Sequence, residues 1–390
     1  MSAPPTVPNS SSSASSKPPK KRGRLSNFWF RVSEGRAIDD LWGQFVADAR
    51  ASYGFYGKDV DWEEVESYSH WRRPFHIARQ FFWALMLKLS PARRVLLVIA
   101  LVLLVLSGFG LRLSDQVVMD TKTESIAALL LLLLLSLELA DKVIMKRDLE
   151  IAREIQNWLV PSQPPDVPGA EIAFATRPQN SVAGDYYDAF YPTVSAAEGG
   201  KLLLVVADVA GKSVPAALLM ATMQASLRTI AGDNAPLDAL VARLNRYASA
   251  YSLGGRRFTT AILGSYDPAS GELIYVNAGH NAPVVRRSNQ SMEFLDKGGL
   301  PLGIEPSAAY ETGTVSLHAG DTLVMFTDGV VVAFNKSGDE FGNGRWLDAI
   351  RTLPPGTATQ ALQYLMRQVD GFVGATRQSD DITCLIFQCK

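Results

Sequence analysis

Lys201–Met220 reads KLLLVVADVAGKSVPAALLM, and no other stretch restricts the fold of this chain as much. Leu202 to Ala207 is a continuous apolar run rich in Leu and Val. A run of that length, bounded by turn residues, predicts a strand buried on both faces. It ends on Asp208. A tight turn through Gly211, Lys212 and Ser213 follows, and Pro215 stands where a helix begins, ahead of Ala216 to Met220. A carboxylate at the end of a buried strand is costly without a partner.

Other acids occupy similar places. Asp185 lies in Ala183-Gly184-Asp185-Tyr186-Tyr187-Asp188, Asp328 follows the apolar run Thr322–Phe326, and Asp380-Asp381 precede the run Ile382–Phe387. Taken singly, each acid also reads as a turn or helix cap. As a set they suggest hard oxygen ligands for divalent cations such as Mg²⁺ or Mn²⁺.

The surrounding chain is uneven. With 390 residues it predicts at least two domains, and a net charge of −1 gives no sign of a nucleic-acid partner. Cys384 and Cys389 lie too close along one strand to form a disulfide framework. Residues 1–25 are Ser/Pro-rich and end in a basic cluster, which reads as a disordered cytoplasmic tail with a solvated charge run; contact with anionic lipid is the alternative. Residues 26–90 carry Trp29, Trp42, Trp62, Trp71 and Trp83, with helical spacing at 36–51 and 75–89. They read either as an interfacial segment or as a small helical packing module.

Val95–Leu111 is apolar throughout, behind Arg93-Arg94, and a second apolar run covers about 125–140. Basic residues flank the outer ends of the pair. The expectation is a transmembrane hairpin over 95–140 with both termini in the cytoplasm, placing the protein in the inner (cytoplasmic) membrane with two spans. A buried soluble hairpin is the competing reading. Residues 141–166 form a linker that begins as a helix stopped at Pro161. Ile144, Ile151 and Trp158 recur every seven residues, with Ile155 on the same face, a weak coiled-coil signal that suggests a homodimer through 141–160. From 167 to 390 short β-like runs alternate with Gly-containing turns and four helix candidates, at 215–231, 236–251, 345–352 and 357–372. That texture predicts an α+β domain of sheets covered by helices.

The ordered motifs resemble a known family. Ala-Gly-Asp-Tyr-Tyr-Asp (183–188), Asp-Val-Ala-Gly-Lys-Ser-Val-Pro-Ala-Ala (208–217), Phe-Thr-Thr (258–260) and Asn-Ala-Gly-His-Asn (277–281) come first. Leu-Pro-Leu-Gly (300–303), Gly320-Asp321, Thr327-Asp328-Gly329, Glu-Phe-Gly (340–342) and Asp-Asp-Ile-Thr (380–383) follow. Together, over roughly 148–390, they look like the metal-dependent serine/threonine protein phosphatases (PPM, type 2C), in the bacterial branch of the stage II sporulation phosphatase. Arg147-Asp148-Leu149 through Ile155-Gln156 and Leu159-Val160-Pro161 look like the helix that precedes this domain in relatives.

The resemblance implies an α-β-β-α sandwich of two antiparallel sheets, with a metal centre at one edge. Asp185 and Asp208 would bridge two Mn²⁺ or Mg²⁺ ions, and the Val209 carbonyl, Asp328 and Asp380 would complete the ligands. Asp380 is preferred to Asp381 because it holds the first acidic position of the terminal motif. Asp188 would support the Asp185 loop, His280 would order its turn or donate a proton, and Lys212 would attract phosphate or simply be solvated. The implied reaction is hydrolysis of phosphoserine or phosphothreonine on a regulatory protein, such as an anti-sigma-factor antagonist, by metal-activated water. Its competitor is a catalytically silent membrane scaffold with the same fold. Ala183 and Ser213 replace glycines common in this branch, Ala282 replaces a proline, and Val331-Val332 replace a frequent Thr-Glu pair.

Overall fold

A computed structural model of the chain describes residues 73–108, 123–192, 199–233, 235–251 and 257–390. The tail 1–25, most of the Trp-rich segment and the loop between the two apolar runs lie outside the described residues. The chain divides into two compact units, Met1–Ala140 and Asp141–Lys390.

In the first unit, α1 (Arg73–Lys88) is followed by α2 (Pro91–Gly108) and by the start of α3 (Thr123–Leu159). Arg93 Nη1 donates to Glu138 Oε1 at 2.9 Å and so ties α2 to α3. The expected transmembrane hairpin is corrected here. Among the described residues no helix is long and apolar enough to cross a membrane. The apolar part of α2 starts only after Arg93-Arg94. Over the described residues α2 runs to Gly108, so at ~1.5 Å per residue that part covers about 21 Å of a ~30 Å hydrocarbon layer. The apolar part of α3 gives way to Glu138, Asp141 and Lys142 without any break in the helix.

The second unit is a two-sheet sandwich. One sheet has the order β1-β11-β10-β6-β7, from β1 (Ala170–Arg177), β6 (Val284–Arg286), β7 (Met292–Phe294), β10 (Thr322–Phe326) and β11 (Ile382–Cys389). The other has the order β2-β3-β4-β5-β8, from β2 (Asp185–Phe190), β3 (Leu202–Val209), β4 (Thr259–Asp267), β5 (Glu272–Ala278) and β8 (Gly298–Gly299), with β9 (Gly313–Ser316) also on β5. All pairings are antiparallel except β5 with β8.

The period-two alternation of strands sorts the side chains into three layers. Leu202, Leu204 and Val206 point between the sheets, against Leu323, Met325, Leu385 and Phe387. Leu203, Val205 and Ala207 point outward and are covered by α4 (Val214–Ala231) and α5 (Leu237–Ala250) through Ala216, Met220, Leu227 and Leu244. On the far side, Val324, Phe326, Cys384 and Ile386 are covered by α6 (Gly342–Arg351) and α7 (Ala358–Val373) through Trp346, Ile350, Leu365 and Val369. Each fully buried Leu, Val or Ile adds about 1.5–3 kcal/mol to folding. The α-β-β-α arrangement expected from the motifs is present.

One polar device fixes the outer layer. Asp188 is fully buried and takes a bidentate pair from Arg228 of α4, with Nε–Oδ2 and Nη2–Oδ1 both 2.8 Å, while the Tyr186 hydroxyl donates to Oδ2. The guanidinium also lies 3.8 Å from the centre of the Phe190 ring. Asp188 therefore holds α4 to β2 and is spent on structure.

Candidate functional site

Asp185 and Asp208 are direct partners in the antiparallel register of β2 and β3. Both fall on the phase of their strands that points between the sheets, at the end where the sandwich opens. Asp328 leaves β10 and Asp380 enters β11, so the opposing sheet brings its own two carboxylates to the same edge. Gly329 makes this approach possible: a Cβ there would lie 1.8 Å from the Asp381 carbonyl oxygen and 3.4 Å from the Asp380 Cβ. A Cβ at Gly184 would lie 3.2 Å from the Val209 carbonyl oxygen, which places that carbonyl beside the Asp185 turn.

Crowding and burial show in the acidities. Burial, then the charges of Asp328, Asp380 and Asp381, push Asp208 up to about 7. Burial and then the Asp208 charge raise Asp185 well above the carboxylate range, against the hydroxyls of Thr383 and Thr327. Burial and then the Asp380 charge raise Asp328. The predicted acids, far apart in sequence, thus share one electrostatic neighbourhood.

Protein groups hold the carboxylate oxygens. Thr327 Oγ1 donates to Asp185 Oδ2 at 2.8 Å across the sheets and accepts from the Thr383 amide at 2.9 Å. Asp381 takes the Gln179 amide on Oδ1 and the Gly184 amide on Oδ2, each at 2.6 Å. Both its oxygens therefore position the 179–184 turn, while Asp380 is a third exposed and pairs with Lys212. Among the described residues, no group of three or more His, Cys, Asp or Glu is set to hold a metal ion as it stands. The donor set nevertheless fits hard divalent cations: it is all oxygen and carries excess negative charge, with Lys212 paired to Asp380.

His280 is buried, and desolvation lowers its pKa to about 4. Its Nε2 donates to the Phe326 carbonyl at 3.0 Å, which leaves Nδ1 to accept from Thr260 Oγ1 at 2.9 Å. It is a neutral brace between sheets, in line with the structural role weighed for it.

The motif reading passed over Gln156 as a working residue. From α3 it reaches the turn before Asp185, with Nε2 donating to the Ala183 carbonyl at 2.7 Å and Oε1 accepting from the Ala183 amide at 2.9 Å. Thr327 and Thr383 were also missed as partners. Both fall on the inward phase, one residue before Asp328 and two after Asp381, and that alternation was the available signal.

Residues 198–390 match the family model described as Stage II sporulation protein E (SpoIIE). Protein IcfG of Synechocystis is 27% identical over 264 residues, covering 61% of this chain and 41% of that protein. Phosphoserine phosphatase RsbU of Bacillus subtilis is 27% identical over 195 residues, covering 50% of this chain and 56% of its own length. The chain thus spans about half the length of the curated relatives it matches. Among solved structures, the SiaA-PP2C domain of Pseudomonas aeruginosa superposes with a TM-score of 0.54 at 21% identity, covering 64% of this chain and 99% of that one. Residues 198–390 thus carry the match to the SpoIIE family, and the sandwich they help to build has the PP2C-like fold.

Proposed function

We propose that the protein is a metal-dependent serine/threonine protein phosphatase that hydrolyses phosphoserine or phosphothreonine on a regulatory phosphoprotein, the class that includes anti-sigma-factor antagonists. The observation that carries this reading is the meeting of Asp185 and Asp208 from one sheet with Asp328 and Asp380 from the other. Two relatives of the domain bear the name phosphoserine phosphatase, RsbU and RsbP of Bacillus subtilis.

Asp185, Asp208, Asp328, Asp380 and the Val209 carbonyl are the residues that would hold two Mg²⁺ or Mn²⁺ ions. Bound there, such ions supply Lewis-acid activation of water and neutralise charge on the phosphoryl oxygens. The chain's own contribution is placement. Thr327 orients Asp185, Asp381 fixes the turn before it, and Gln156 grips the same turn from α3. His280 is engaged at both ring nitrogens, which supports a bracing role for it.

The direct test is release of phosphate from a phosphoserine peptide by the purified chain, with and without Mn²⁺ or Mg²⁺. Metal-dependent turnover that disappears in Asp208→Asn supports the reading. A well-folded chain without turnover at saturating Mn²⁺ favours the silent scaffold.

The linker part of α3 leaves Ile144, Ile151, Ile155 and Trp158 exposed on one heptad face, Trp158 by 82%. We propose that a second copy of the chain covers it; light scattering on the chain and on a fragment beginning at residue 165 would tell. The exposed apolar side chains of α2 and α3, among them Val98, Val102, Leu129 and Leu132, support a place at the inner (cytoplasmic) membrane through lipid contact. Recovery of the chain in the soluble fraction alone would remove that placement.

A further inference from the structure

Lys212 sits on the turn between β3 and α4, four residues after Asp208. Its Nζ lies 3.0 Å from Asp380 Oδ2 and 2.8 Å from the Ser379 carbonyl oxygen, so two of its three N–H donors are committed to the loop that enters β11. The bond joins a turn of one sheet to a loop of the other, across the edge where the acids meet. We propose that Lys212 is the internal counter-cation of the carboxylate cluster, a competitor that divalent cations must displace from Asp380, and so the residue that sets how tightly the site takes its metal. This rests on reading Asp185, Asp208, Asp328 and Asp380 as the cation ligands.

Three observations carry it. The first is the pair itself: an ammonium holding a carboxylate oxygen prevents a cation from using it without repulsion. The second is the anchor. Lys212 Nζ also donates to the Ser379 carbonyl at 2.8 Å, so the ammonium is held on the loop that carries Asp380 and not merely dissolved in solvent. The third is the backbone beneath it. Gly211 has φ +123°, where a Cβ would stand 2.2 Å from Arg257 Nη1, and Ser213 has φ +64°. Arg257 Nη1 donates to the Ala210 carbonyl at 3.2 Å. The turn is thus held on both sides of Lys212, while its side chain is about half exposed (52%) and free to swing into water when displaced.

The test is calorimetric titration of Mn²⁺ into the metal-free full chain, for the wild type, Lys212→Gln and Lys212→Arg, with thermal melting in chelator alongside. Lys212→Gln is expected to bind Mn²⁺ about two- to fivefold more tightly, the range of a half-exposed ion pair. Its metal-free form is expected to melt about 1–3 °C lower, because the cluster loses its counter-charge. Lys212→Arg should stay close to wild type in both. Equal or weaker Mn²⁺ binding by Lys212→Gln overturns the proposal while leaving the metal site standing. A wild type that binds no Mn²⁺ overturns the metal site and this role with it.

Discussion

Asp185 and Asp208 face each other as register partners on β2 and β3, a buried and a half-buried carboxylate on neighbouring strands, and among the described residues no lysine or arginine is bonded to either. Such a pair is repulsive unless protonated or shared by a cation. Asp208→Asn is therefore expected to lower metal-dependent turnover by about a hundredfold or more. Its metal-free melting temperature should hold or rise, because a repelled charge has gone. Steady-state assays on a phosphopeptide and melts in chelator check both; a lower metal-free melting temperature would count against the repulsion.

The same crowding sets a pH dependence. The folded-state pKa of Asp208, about 7, lies above its ordinary value of 3.8, so the folded chain binds the extra proton between those limits. Stability of the metal-free protein should then be greatest near the lower limit, fall as pH rises towards 7, and level off above it. Saturating Mg²⁺ or Mn²⁺ should flatten that slope by replacing the proton. Melting curves from pH 5 to 8, with and without metal, measure it, and parallel slopes would refute it.

Gln156 is buried and gives both its amide atoms to the backbone of Ala183, two residues before Asp185. Gln156→Ala leaves a buried N–H and C=O without these partners, which costs about 1–3 kcal/mol. It should also weaken metal binding by about tenfold, the low end of what loss of an outer-shell partner does. Differential melting and Mn²⁺ titration read the two effects separately. Destabilisation with unchanged metal affinity would limit Gln156 to packing.

Ser213 begins α4 with φ 64° and ψ −149°, a region that L side chains rarely adopt, and its hydroxyl does not cap the helix. Ser213→Gly should stabilise the domain by about 1 kcal/mol. Denaturant melts would show a higher midpoint at constant slope. No gain would mean that the contact from Asn180 Nδ2 to Ser213 Oγ, at 3.4 Å, offsets the strain.

Much of this was legible because the strands of the sandwich are simple in composition. The run Leu202–Ala207 is buried on both faces, as its unbroken apolar character required, and the acids at 185, 208, 328 and 380 are strand-end residues. Helix ends agree to within one to three residues at α4 to α7, where Pro215 and the Thr357–Gln360 capping box mark the starts. Other features left little trace. β8 is two glycines in parallel pairing with Asn277 and Ala278, too short for any periodicity. The linker helix does not begin at Asp141 but continues from Thr123, because a change from leucine to charged residues does not break a helix. The hairpin expected at 95–140 rested on hydropathy alone, and among the described residues no helix is long and apolar enough to cross a membrane. The motif position favoured Asp380 over Asp381, but it did not show that Asp381 accepts the Gln179 and Gly184 amides while Asp380 accepts the Asp381 amide and pairs with Lys212.

The spacing between the two acids of the β10–β11 sheet depends on an atom that is missing. Gly329 lets the backbone after Asp328 rest against the carbonyl of Asp381, where any side chain would collide. A tolerance this narrow therefore falls on a residue that donates no side-chain atom to a metal or a substrate. A complete substitution scan should find position 329 as intolerant as the aspartates, and for a reason of volume, not charge.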